Sequence, residues 1–194
     1  MAALVMLVLM SLPIPFASTL AFLVFVGASI TDYYDGHLAR TRYGVTAFGK
    51  LMDPLADKVL VCAAFVSFVG IRLPMEPNYA LIPAWIVVII ITREFAVTGL
   101  RLLVATNQGK VIDAGSWGKL KTVWQMVAII LMFIGLSFRE DWGVFFRLTD
   151  SFWKTYDNYF ILVNWTLSLF VLLITLVSGW KYFLAHWDLV TAEM

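Results

Sequence analysis

"TDYYDGHLARTRYGVTAFGKLMDPLADK", residues 31–58, places four aspartates, Asp32, Asp35, Asp53 and Asp57, between two apolar runs, "LAFLVFVGASI" (20–30) and "VLVCAAFVSFVG" (59–70). Both runs are greasy enough for a lipid bilayer. Asp32 and Asp35 are three residues apart, and Asp53 and Asp57 four apart, so on helices each pair shares one face. The reading puts the first pair at the end of one span and the second at the start of the next. The thirteen residues around "TRYGVT" link two antiparallel helices and bring all four carboxylates to one depth. Four converging anions repel one another and are costly beside hydrocarbon. An aspartate at a helix N-terminus favours the macrodipole, but Asp32 and Asp35 sit where the dipole disfavours them. Something positive must offset the cluster. Oxygen-only donors favour a hard cation, Mg²⁺ or Mn²⁺, over zinc, and four carboxylates suit two such ions.

Composition agrees with a membrane setting. Of 194 residues, 61% are hydrophobic and 14% charged, against about 45–50% and about 25% in a soluble domain. Working outward from the aspartates, six apolar segments cover about 1–12, 16–36, 48–71, 80–106, 117–138 and 158–184. The expectation is an all-α integral membrane protein of six transmembrane helices, a single domain over 1–194, with a polar cavity open to the cytoplasm. Residues 139–158, "REDWGVFFRLTDSFWKTYDN", read as a segment lying along the interface, with Glu140, Asp150 and Asp157 solvated. Trp142, Trp153, Trp180 and Trp187 read as an interfacial belt. With the N-terminus cytoplasmic, ten of the 14 Lys and Arg fall on the aspartate side, which puts that side in the cytoplasm. The first segment rises only about 18 Å, short of a span, so an upstream interfacial segment is expected to be missing. The single Cys62 excludes a disulfide framework.

Small residues accompany the carboxylates. Gly36, Ala39 and Gly49 either let helices pack closely or leave room for a ligand. The whole string reads D-x2-D-G-x2-A-R-x8-G-x3-D-x3-D: Asp32, Asp35, Gly36, Ala39, Arg40, Gly49, Asp53, Asp57. It resembles the complete signature of the CDP-alcohol phosphatidyltransferases, six-helix membrane enzymes that move a phosphatidyl group from a CDP-linked lipid to an alcohol and release CMP. The resemblance implies that Asp32, Asp35 and Asp53 hold the metals, with Asp57 at the second metal or as the base. It implies catalytic roles for Asp53 and Asp57. Binding of CDP-diacylglycerol falls to Asp32, Asp35, Gly36, Ala39, Arg40 and Gly49, with Arg40 steadying the diphosphate or the aspartates. It also implies a homodimer in the cell (inner) membrane.

A second polar cluster, "ITREFAVTGLRLL" (91–103), sets Arg93, Glu94, Thr98 and Arg101 in an apolar helix, and "SWGKLKT" (116–122) adds Lys119 and Lys121. Charges within spans mark a substrate path. Four cations beside the aspartates suggest an anionic acceptor, and glycerol-3-phosphate suits Arg93, Arg101, Lys119 and Lys121. The two lysines also fit snorkelling interfacial anchors. These strings resemble the branch of the family that uses glycerol-3-phosphate, implying phosphatidylglycerophosphate and CMP as products. Alternatives are the same chemistry with inositol phosphate, serine or phosphatidylglycerol, or a divalent-cation transporter.

Overall fold

The computed structural model describes residues 1–42, 47–108, 115–146 and 148–185, with the backbone alone described at 33, 35–42, 47–57, 103, 105–108, 115, 116 and 144. The six apolar segments become six helices: α1 (Ala2–Ser11), α2 (Ala17–Arg42), α3 (Ala47–Gly70), α4 (Ala84–Gln108), α5 (Gly115–Ser137) and α6 (Asp150–Ala185). Between α3 and α4, "RLPMEPNYA" forms an antiparallel hairpin of β1 (Arg72–Leu73) and β2 (Glu76–Ala80), so the chain is mostly, not wholly, helical. Pro74 and Pro77 explain why this stretch cannot continue either helix.

Two boundaries differ from expectation. α2 runs on to Arg42, because "HLARTR" offers good helix formers where a link was expected. Gly36, Ala39 and Arg40 are therefore helical positions, and Asp32 and Asp35 lie well before the last turn. Likewise α3 has no acidic residue in its first turn, so neither pair is a helix-end ornament. At the other boundary, α5 passes into a π-helical turn (Phe138–Trp142) and a 3₁₀ turn (Gly143–Phe146), and α6 begins at Asp150. Asp157 is thus not solvated. It is fully buried, gripped by Arg139 through Nε at 2.6 Å and Nη2 at 3.1 Å. The Met75 amide donates to it at 3.2 Å, tying down the hairpin. Trp153 is buried too, under the Arg139 guanidinium 4.5 Å from its ring. A buried carboxylate needs such a bidentate partner.

α1 packs on α2 and α3, α5 on α2 and α6, and α4 on α3 and α6. The centre is aromatic: the Phe133 ring of α5 meets Phe68 at 4.8 Å and Phe22 and Phe25 at 5.8 Å. α6 buries a regular stripe, Asp157, Ile161, Asn164, Ser168, Leu172, Thr175, Ser178, Gly179 and Tyr182, at spacings of mostly three and four. Its small members permit close helix contact. Among the described residues, two stretches are long and apolar enough to cross a membrane, Trp117–Trp142 and Asp150–Ala185.

The polar groups gather at two ends. At one, Asp141 caps α2 by accepting from the Thr19 amide at 2.7 Å and its hydroxyl at 2.6 Å, while Ser18 donates to Glu140 at 2.6 Å. The Arg139–Asp157 pair joins the same end. The other end holds the aspartate motif and the basic cluster.

Candidate active site

Glu94 is the hub of the second end. Its carboxylate is buried and meets groups from two other helices and from its own neighbour. Lys58 of α3 donates to Oε2 at 2.8 Å. Lys121 of α5 donates to Oε1. Gln125, one turn further along α5, reaches the same oxygen at 3.3 Å, and so does Nη1 of Arg93. The local periodicity explains the convergence. Lys121 and Gln125 are four apart and share the α5 face turned to α4. Lys119, two residues from Lys121, falls on another face and is exposed.

α6 supplies the remaining wall. Arg93 Nη2 donates to Ser178 at 2.8 Å. Gly179 leaves space for the same side chain, since a Cβ there would lie 2.8 Å from Arg93 Nε. Arg101, two turns along α4, stacks its guanidinium 4.9 Å from the Tyr182 ring centre. The Nε groups of both arginines are buried with no hydrogen-bond partner. An unpaired buried donor costs about 1–3 kcal/mol, which an incoming anion would recover. Nearby, Lys181 sits 3.7 Å from the Trp117 ring, holding the end of α6 to the start of α5.

Of the residues singled out from sequence, Arg93 and Lys121 come together on Glu94, Arg101 joins through α6, and Lys119 does not join. Thr98 serves its own helix, donating to the Glu94 carbonyl at 2.8 Å. Lys58, Gln125, Ser178, Gly179 and Tyr182 were missed. Two signals existed: Lys58 directly follows Asp57, and the polar positions of α6 recur at helical spacing. Asp32 has an exposed side chain on α2. The side chains of Asp35, Gly36, Ala39, Arg40, Gly49, Asp53 and Asp57 lie outside the described residues. Beside Asp32 a groove of about 390 Å³ opens between α2 and α5, lined by Phe25, Val26, Ser29, Ile30, Tyr34, Met126 and Ile130.

Residues 1–170 match the model of the CDP-alcohol phosphatidyltransferase family. The chain belongs to this family. Within the CDP-alcohol phosphatidyltransferases it is similar to the CDP-diacylglycerol–glycerol-3-phosphate 3-phosphatidyltransferase of Bacillus subtilis, 41% identical over 176 residues, covering 90% of this chain and 77% of that protein. Proteins of the same name from Mycoplasma pneumoniae and Rickettsia typhi are 37% and 42% identical over 115 and 119 residues. Those alignments take in 59% and 61% of this chain, and 47% and 62% of the relatives. Membership in this family and the two apolar helices together make the chain a membrane protein.

Proposed function

We infer that the chain transfers the phosphatidyl group of CDP-diacylglycerol to glycerol-3-phosphate, giving phosphatidylglycerophosphate and CMP, a step of phospholipid biosynthesis. The relatives' shared name supports the reaction. The observation that carries the acceptor is the charge of the pocket: Lys58, Arg93 and Lys121 face one carboxylate, and two arginine Nε groups are buried without partners. A neutral alcohol would leave those donors unpaired, whereas a phosphate satisfies them. Arg93, Arg101 and Lys121 hold the phosphate in this reading. Lys119 is left out, because its face is exposed.

The residues of the motif fit a divalent-metal site by donor chemistry, four carboxylates with no nitrogen or sulfur, one of them (Asp32) visibly open to a ligand. Asp32, Asp35 and Asp53 would hold two Mg²⁺ or Mn²⁺ ions, which supply charge neutralisation at the diphosphate, and Asp57 is left free as the base. Gly36, Ala39 and Gly49 leave room for the cytidine and diphosphate, and Arg40 steadies the latter. The acyl chains lie in the groove between α2 and α5, reached sideways from the lipid. Asp57 accepts the proton of the primary hydroxyl of glycerol-3-phosphate. That oxygen bonds to the phosphorus carrying diacylglycerol, and the bond from this phosphorus to the CMP oxygen breaks. Positioning and charge, more than covalent chemistry, do the work in such transfers. All six helices belong to the membrane domain in this reading, the site opens to the cytoplasm, and the enzyme is a homodimer in the cell membrane.

The test is CMP release by purified protein in detergent with Mg²⁺ and CDP-diacylglycerol, with and without glycerol-3-phosphate, and with inositol phosphate, serine or phosphatidylglycerol in its place. Release only with glycerol-3-phosphate is the expected result, falling about 10²–10⁴-fold in Asp57→Asn. Release with another acceptor instead would overturn the use made of the basic pocket.

A further inference from the structure

We propose that Glu94 is a positioning residue for the transfer: it fixes Lys58 and Lys121 so that the anion-binding cations and the helix carrying Asp53 and Asp57 are set by one carboxylate. This rests on the acceptor reading above. Side-chain exposure sets Glu94 behind Arg93 and Lys58. Glu94 is 4% exposed, Lys121 5%, Arg93 12% and Lys58 26%. Lys58 and Arg93 therefore stand nearer the open side than the carboxylate, and Lys121 lies as deep as Glu94 itself. Glu94 acts through them and does not touch the acceptor.

Charge count gives the second strand. Three cations against one carboxylate leave a surplus of two positive charges, which complements a phosphate dianion. Remove the carboxylate, and three clustered cations, one buried and two part-buried, repel one another with nothing to hold their spacing. A plain staple between α3 and α4 would need one cation. Glu94 takes four donors, from α3, α4 and α5, and Arg93 extends the set to Ser178 of α6. Lys58 is the link to the chemistry. It follows Asp57 directly in α3, so a shift of Lys58 that moves its backbone moves Asp57 as well.

The experiment is a kinetic one on full-length protein in detergent, following CMP release while glycerol-3-phosphate and CDP-diacylglycerol are varied in turn. In Glu94→Gln, KM for glycerol-3-phosphate should rise about tenfold or more and kcat should fall, with KM for CDP-diacylglycerol within about twofold of the wild type. Because Glu94→Gln loses a buried charge and can fail to fold, Glu94→Asp is run beside it. It keeps the charge but shortens the reach by one methylene, and should move the same KM in the same direction by less. Lys58→Met and the Lys58→Met/Glu94→Gln pair complete a double-mutant cycle, in which the double variant should be scarcely worse than Glu94→Gln alone. A lowered melting temperature with both KM values and kcat unchanged would make Glu94 a structural staple and overturn the proposal, as would strictly additive losses in the cycle. If the wild type released no CMP with glycerol-3-phosphate but did so with another acceptor, the functional reading would fail instead, and the two failures are distinct.

Discussion

Lys119 and Lys121 stand two residues apart on α5, and their surroundings are opposite. Lys121 is buried against Glu94, and Lys119 is exposed. Lys119→Ala should leave kcat/KM for glycerol-3-phosphate within about twofold, the range of ordinary surface changes. Lys121→Met should lower it by about tenfold or more, because it removes a buried charge from a coupled set. CMP release at varied acceptor concentration separates the two. The sequence marked both lysines alike, since spacing names a face but not what the face meets. Asp157 carries the same lesson from the other side. Read by polarity it belonged in water; its partner Arg139 lies 18 positions earlier, and nothing local announces the pair. Glu94 meets its neighbour Arg93, but Lys58 and Lys121 come from 36 and 27 positions away.

At the scale of elements, the long apolar runs and their polar breaks located the six α-helices of the described residues, because burial in lipid or core leaves few other ways to satisfy the backbone. The ends were less legible. α2 continues through a stretch whose charges suggested a link, and α6 starts eight residues before its hydropathy rises, held there by the Arg139–Asp157 pair. α6 also makes a wall of the candidate site that no signature in the sequence reading included. Its closest approach is testable at Gly179. The methyl of Gly179→Ala would meet Arg93 at Nε and Cγ, displace it from Ser178, and lower kcat/KM for glycerol-3-phosphate by about three- to tenfold, roughly the net worth of one ordinary hydrogen bond. Asp157→Ala should act quite differently. It leaves Arg139 buried and unpaired at the far end, and should destabilise the fold by about 3–5 kcal/mol. Thermal unfolding in detergent should show that loss, while KM for both substrates at low temperature stays as in the wild type.

Across the whole molecule, two polar ends are separated by an aromatic middle built on Phe22, Phe25, Phe68 and Phe133. Polar side chains in the middle of α6 are turned back on their own helix, Asn164 to the Phe160 carbonyl at 2.6 Å and Ser168 to that of Trp165 at 3.0 Å. Among the described residues the middle is packed chiefly by aromatic rings, which fits the proposed transfer better than a cation path. Chelation tests the metal assignment of the aspartates. EDTA should abolish CMP release and lower the melting temperature, because the carboxylates lose the charge that offsets them, and Mg²⁺ or Mn²⁺ should restore both. Activity that survives thorough chelation would remove the metals from the proposal.

The bond from Lys58 to Glu94 also bears on how such a protein could be rebuilt. A designer wishing to change the acceptor would naturally transplant α4 and α5 from a relative with a neutral substrate. A graft without a carboxylate at position 94 would strand Lys58, one residue from Asp57, as a cation without its counter-charge. The acceptor half and the donor half are therefore not interchangeable cassettes: a swap must carry the first turns after the aspartates with it, or replace Lys58 in the same step.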